Sequence, residues 1–136
     1  MKKLLISLIG ILFFGLVGCT TTTEAKRYAD FTHMDHWDQL NDLTDEETLL
    51  YYYSPYCAIS KSIEVAVSEA FVRLENAGVP ILLIHEGLIY EQGTQPLEMI
   101  ETPSILVYEN KTFQEIISGS IPVLTYLDAK LEALDD

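Results

Sequence analysis

The sequence predicts an α/β domain built on a central mixed sheet of four to five strands flanked by helices. Three observations carry that expectation. Thr48-Leu49-Leu50-Tyr51-Tyr52-Tyr53 is an aromatic and aliphatic run, apolar on both faces, as a central strand is. After Pro55 the apolar period changes from strand to helix over Cys57 to Ala77, and the apolar run Ile81 to Ile84 follows as a buried parallel strand, which makes a right-handed βαβ unit. Ser104 to Tyr108 and Phe113 to Ser118 flank Glu109-Asn110-Lys111, the pattern of an antiparallel hairpin.

The elements can be justified in order. Ala29 to Thr32 reads as a short edge strand. Asp35 is placed to N-cap a helix burying Trp37, Leu40 and Leu43. Asp45-Glu46-Glu47 is a charged turn before the central strand. On the long helix, Ile59, Ile63, Val67, Ala70 and Leu74 form the core stripe, with Ala66 and Phe71 flanking it and Glu64, Ser68 and Glu75 elsewhere. Gly78 fits the position just past the helix end and Pro80 follows. Between Glu86 and Glu101 the pattern is less regular; Thr94 and Pro96 suit the start of a short helix carrying Leu97 and Ile100. Gly119 breaks the chain, and Val123 to Leu134 closes the domain as a helix with Leu124, Leu127, Leu131 and Leu134 on one stripe.

The 136 residues suit one domain, and 49% of them are hydrophobic, enough for a core. Asp and Glu number 21 against 8 Lys and Arg, a net charge of −13, which argues against a nucleic-acid partner or a basic lipid-binding patch. Residues 1–18 read as a lipoprotein signal peptide: Lys2 and Lys3 precede one apolar stretch, Leu4 to Val17, short for a transmembrane helix. It ends in Leu16-Val17-Gly18-Cys19, which resembles the bacterial lipobox, whose cysteine is lipidated and becomes the first residue. The alternatives are an ordinary signal peptide with a chance cysteine, or an uncleaved anchor. On the lipobox reading residues 19–27 are a lipidated Cys19 and a flexible Thr-rich tether, and 28–136 are the domain. Two acyl chains, at about 0.8 kcal/mol per buried CH₂, suffice for stable anchoring. The expected location is then the bacterial cell membrane, lipid-anchored and extracytoplasmic. Cleavage removes Lys2 and Lys3, leaving 6 basic residues against 21 acidic ones, a charge of −15.

With Cys19 used for lipid, Cys57 is the only thiol left, and no internal disulfide is possible. A lone exported cysteine is a reactive thiol, a group that pairs with another molecule, or a buried inert residue. The strand running into Tyr53-Ser54-Pro55-Tyr56-Cys57 at a helix start, Lys61 just after it, Thr102-Pro103-Ser104-Ile105-Leu106-Val107-Tyr108, and Gly119 before the last helix together resemble the thioredoxin-like family over about Phe31 to Leu134. Within it the chain is most similar to small exported bacterial proteins, some called bacteriocin-transport accessory-like. The motif departs from the family's C-x-x-C: Cys57-Ala58-Ile59-Ser60 is C-x-x-S.

The resemblance implies a thiol nucleophile at Cys57 and a cis-proline at Pro103, with Thr102 and Pro103 lining the cleft for an extended substrate; the alternative is an ordinary trans proline starting a strand, and Tyr56 is a candidate for an aromatic rim that holds a peptide. A thiol at a helix N-terminus faces unpaired N–H groups that favour the thiolate. Ser60 shares a helix face with Cys57 and can donate to its sulfur. The resemblance also implies a buried acid six residues before the cysteine, where this chain has Tyr51. Tyr51 to Tyr53 are either core residues or, with Tyr56, an aromatic rim.

Two functions follow. The first is monothiol thiol–disulfide exchange through Cys57, with exported protein or peptide thiols and disulfides as partners and an external thiol to resolve the adduct. The alternative is a non-enzymatic peptide- or protein-binding module of the cell envelope. His33 and His36 near Asp35 and Asp38 have a spacing that suits a metal, but solvated polar residues are the simpler reading. His85 ends its strand, either as a base facing the cleft or as a strand cap. No phosphate loop, nucleotide fingerprint or Ser-His-Asp set is present in the sequence, so no cofactor or metal is expected.

Overall fold

The computed structural model describes residues 25–44, 46–87 and 100–136. The leader, Cys19, the tether up to Glu24, Asp45 and the helix expected from Thr94 and Pro96 lie outside them. The described strands are β1 (Thr48–Tyr53), β2 (Ile81–His85), β3 (Ser104–Glu109) and β4 (Thr112–Ser118), in the spatial order β2-β1-β3-β4. β1 pairs parallel with β2, and β3 pairs antiparallel with both β1 and β4. The helices are α1 (Ala58–Ser62), α2 (Glu64–Asn76) and α3 (Ser120–Asp135). The expected mixed sheet flanked by helices is present, with four strands among the described residues.

The core has two halves because β1 is buried along its whole length and its side chains alternate between the faces. Leu49, Tyr51 and Tyr53 join Phe71 and Leu74 of α2, Ile105 of β3, and Val123 and Leu127 of α3. Leu50 and Tyr52 join Trp37, Leu43, Ile84 and Leu106 on the other face. α2 stops in a hydrogen-bonded C-cap: Gly78 takes φ 90°, its N–H donates to Glu75 O, and the Val79 N–H donates to Leu74 O.

Several expectations need correction. Ala29 to Thr32 is not a strand. Tyr28–Asp30 is a 3-10 turn, closed by the Arg27 N–H donating to Asp30 Oδ2 at 2.7 Å; this local bond competes with extended backbone. Sheet pairing begins only afterwards, where Leu83 bonds Thr32 O and Met34 N. The Trp37 segment is a 3-10 helix, Trp37–Asp42, and its N-cap is His36, not Asp35. The Gln39 side chain accepts from the N–H of both residues. Cys57 to Ala77 is not one helix: it breaks at Ile63 (φ −104°, ψ 0°), which caps both α1 and α2. The break turns Ile59 outward to 51% exposure, removing it from the core stripe. Farther along, Ser68 is buried and Ala66 exposed, the reverse of expectation. α3 begins at Ser120, before Pro122, because the first turn of a helix does not need the proline's missing N–H. Val123 takes a core place, and Leu134 is exposed. No helix among the described residues is long and apolar enough to cross a membrane.

The β3–β4 turn has two residues, Asn110 and Lys111, at φ 50° and 62°. Positive φ at both is the conformation that hairpin twist favours, and a side chain at Lys111 opposes it. Lys111→Gly is expected to stabilise the fold by about 0.5–1 kcal/mol, read as a higher urea midpoint at unchanged slope.

Candidate functional site

β1 delivers the chain to the site, and a short turn aims it. Past Tyr53, the Cys57 N–H donates to Ser54 O at 3.2 Å and the Tyr56 N–H to Ser54 Oγ at 3.2 Å. Pro55 sits where its fixed φ suits such a turn. Cys57 follows as the N-cap of α1, with extended backbone (φ −78°, ψ 118°). Its side chain makes no cap hydrogen bond, but the Ile59 and Ser60 N–H groups of the first turn face the sulfur closely enough to act on it.

Those groups act on the sulfur. The Ser60 N–H is the strongest influence holding the Cys57 pKa below the ordinary thiol value; partial burial works against it, and the Ser60 hydroxyl, the Thr102 side chain and the Ile59 N–H add to the lowering. α1 has only five residues, so the effect is one of local donors in its first turn more than of a long helix dipole. Ser60 is fully buried, and its hydroxyl has no conventional hydrogen-bond partner among the described residues. It therefore keeps a donor for the sulfur once the thiol ionises.

Across from α1, Thr102-Pro103 is a cis peptide, as the resemblance implies. Cys57 Sγ lies 3.9 Å from Thr102 O, to which the thiol donates. Pro103 is buried, and its carbonyl accepts from the Gly119 N–H at 2.9 Å, which ties the loop to the start of α3. The structure therefore brings Cys57, Ser60, Thr102 and Pro103 together. Tyr56 adjoins them at 89% exposure, and Ile59 and Ile121 add exposed apolar surface on α1 and α3. Tyr51, Tyr52 and Tyr53 are all buried, so the aromatic rim reduces to Tyr56.

The histidines are used locally. His33 bonds Phe31 O through Nδ1 at 2.9 Å and the Tyr53 hydroxyl through Nε2 at 2.7 Å. His36 caps the 3-10 helix. His85 ends β2; its Nδ1 accepts from the Gly87 N–H, and its ring stands edge-on to Tyr53. Among the described residues no group of three His, Cys, Asp or Glu is placed to hold a metal.

Sequence reasoning missed Tyr28. Its hydroxyl lies 2.9 Å from that of Tyr51 and donates at 3.1 Å to the carbonyl of Ser60, in the first turn of α1. The residues are 23 and 32 positions apart, and no local pattern joins them. The nearest signal was Tyr51 itself, a phenol where an acid was expected.

No family model matches the chain, and no curated protein matches it by sequence. Solved structures do match. Mitochondrial thioredoxin 3 from Saccharomyces cerevisiae, in its oxidized form, aligns with a TM-score of 0.60 at 13% identity over 79% of this chain and 99% of that one. Thioredoxin NaTrxh from Nicotiana alata gives 0.60 at 13% identity, over 83% and 96%. Thioredoxin from Trypanosoma brucei brucei gives 0.58 at 13% identity, over 81% and 96%. The likeness is one of fold.

The lowered Cys57 pKa gives a pH test. A lower pKa means more thiolate at neutral pH, so iodoacetamide should alkylate Cys57 with a pH midpoint below the value of about 8.5 for a free cysteine. Ser60→Ala removes one donor and keeps the N–H, so the midpoint should rise part of the way back.

Proposed function

We propose that this chain, which has the thioredoxin-like fold, carries out monothiol exchange through Cys57 on the outer face of a bacterial membrane, anchored by lipid on Cys19. The observation that carries the exchange reading is the placement of one sulfur at the start of α1, 3.9 Å from the carbonyl of the cis-proline loop's Thr102, with apolar surface from Tyr56 open beside it. The Cys57 thiolate attacks one sulfur of a partner's disulfide. A Cys57–partner disulfide forms, the partner's S–S bond breaks, and its other sulfur leaves as a thiolate and takes up a proton. Ser60 has no thiol to reverse this. An external thiol, on a protein or a small molecule, attacks the partner's sulfur in the adduct and releases Cys57. The partner sulfur ends in a new disulfide with that thiol, so no separate oxidant or reductant is consumed.

The exposed Tyr56 next to Cys57 fits a polypeptide better than a small charged thiol. The charge of −15 left after cleavage disfavours acidic partners. A second reading, in which the same surface binds a peptide without exchange, is favoured by Ser60 in the place of the motif's second cysteine and by Tyr51 in place of an acid.

Crosslink capture separates the two. Wild-type protein in cells, quenched with acid and alkylated, should yield disulfide adducts that disappear in Cys57→Ser and on reduction. Partner capture by an amine crosslinker that survives Cys57→Ser, with no disulfide adduct in the wild type, would favour the binding module. The anchor is tested separately: an alkyne fatty acid should label the wild-type chain, and Cys19→Ser should lose the label.

A further inference from the structure

The first turn of α1 is tied to the sheet by a hydrogen-bond chain whose direction can be worked out. Tyr28 has one hydroxyl proton, and it goes to Ser60 O at 3.1 Å. The 2.9 Å contact between Tyr28 and Tyr51 must then use the Tyr51 proton, with the Tyr28 oxygen accepting. Ser60 C=O and Lys61 N–H belong to one peptide group, and that N–H donates to Cys57 O at 3.1 Å. The chain thus runs one way: Tyr51 hydroxyl, Tyr28 hydroxyl, the Ser60–Lys61 peptide, Cys57 carbonyl. Successive bonds in such a chain polarise one another. The other end of Tyr28 is also held, its N–H donating to Glu64 Oε1 at 3.1 Å while Arg27 pairs with Glu64.

We propose that Tyr28 and Tyr51 are positioning residues for the thiol: through the Ser60–Lys61 peptide they fix the first turn of α1, and with it the orientation of the Ser60 N–H toward Cys57. This rests on Cys57 being the working group, and it adds two residues that never touch a substrate. Burial is the main cause that pushes both phenols above their ordinary pKa, so they remain protonated donors.

Tyr53 supplies the control. It packs against Tyr28 and Tyr51, yet its hydroxyl bonds His33 and has no part in the chain. The experiment is the pH profile of iodoacetamide alkylation for wild type, Tyr28→Phe, Tyr51→Phe and Tyr53→Phe, each checked for a cooperative urea transition. Tyr28→Phe should raise the Cys57 midpoint by about half to one pKa unit, the scale of one net hydrogen bond. Tyr51→Phe should raise it less, because Tyr28 keeps its bond to Ser60, and it stands in if Tyr28→Phe does not fold. Tyr53→Phe should leave the midpoint in place while lowering the urea midpoint. Unmoved midpoints in the folded variants of the chain, or an equal movement in Tyr53→Phe, would overturn the assignment. Alkylation needs only the thiolate, so a failure to find disulfide adducts in cells would count against exchange without touching this result.

Discussion

Everything at the site depends on the burial of β1 on both faces. A strand with six buried residues has no freedom of register: a slip of one residue would exchange Leu49, Tyr51 and Tyr53 for Leu50 and Tyr52 between two differently shaped half-cores. With that register fixed, Tyr52 lies opposite Ser104, so Pro103 and Thr102 emerge beside the turn that follows Tyr53. That is how residues 45 positions apart bring a sulfur and a carbonyl to 3.9 Å. The thiol and the cis-proline loop meet because β1 ends where its antiparallel neighbour β3 begins.

The strands were legible in the sequence because each is a short apolar run between turn residues, and β1 and β3 could be read almost to the residue. The turn into Cys57 was legible because Ser-Pro at a strand end has a local mechanism. Ser60 and Thr102 were readable only as parts of a motif, and their closeness to the sulfur is a tertiary fact. The break at Ile63 was not legible: a helical period continues through it, and nothing in Ser62-Ile63-Glu64 is a breaker. Placing Ile59 in the core followed from that. The 3-10 turns were missed because local bonds from Asp30 and Gln39 decide them, and those bonds depend on side-chain reach more than on hydrophobic period.

Tyr51 shows how surroundings select a polar group. Its register partners are Leu83 and Ile105, both fully buried and neither able to offer a charge. A carboxylate in that register would be desolvated without a cation from either neighbour, a costly arrangement. A phenol fills the same space with an aromatic ring, suits a strand, and needs one partner for its hydroxyl, which Tyr28 supplies. Support for the sulfur here is neutral and directional. It comes from oriented dipoles that need no counter-ion, with Glu64 gripping the backbone of Tyr28 at a distance from the thiol.

The two margins of the sheet are treated differently. Beside β2, the segment from Thr32 to Met34 occupies the backbone groups of Leu83. β4 is the outermost described strand on the far side, and its ladder with β3 is interrupted by a register shift at Val107/Tyr108. A long, flat, greasy rim would template the addition of another chain; β4 presents Gln114 and Glu115 to water beside the exposed Ile116, and its ladder shifts register. Polar groups and a broken ladder on an outer strand discourage fibril-like stacking of one copy on the next.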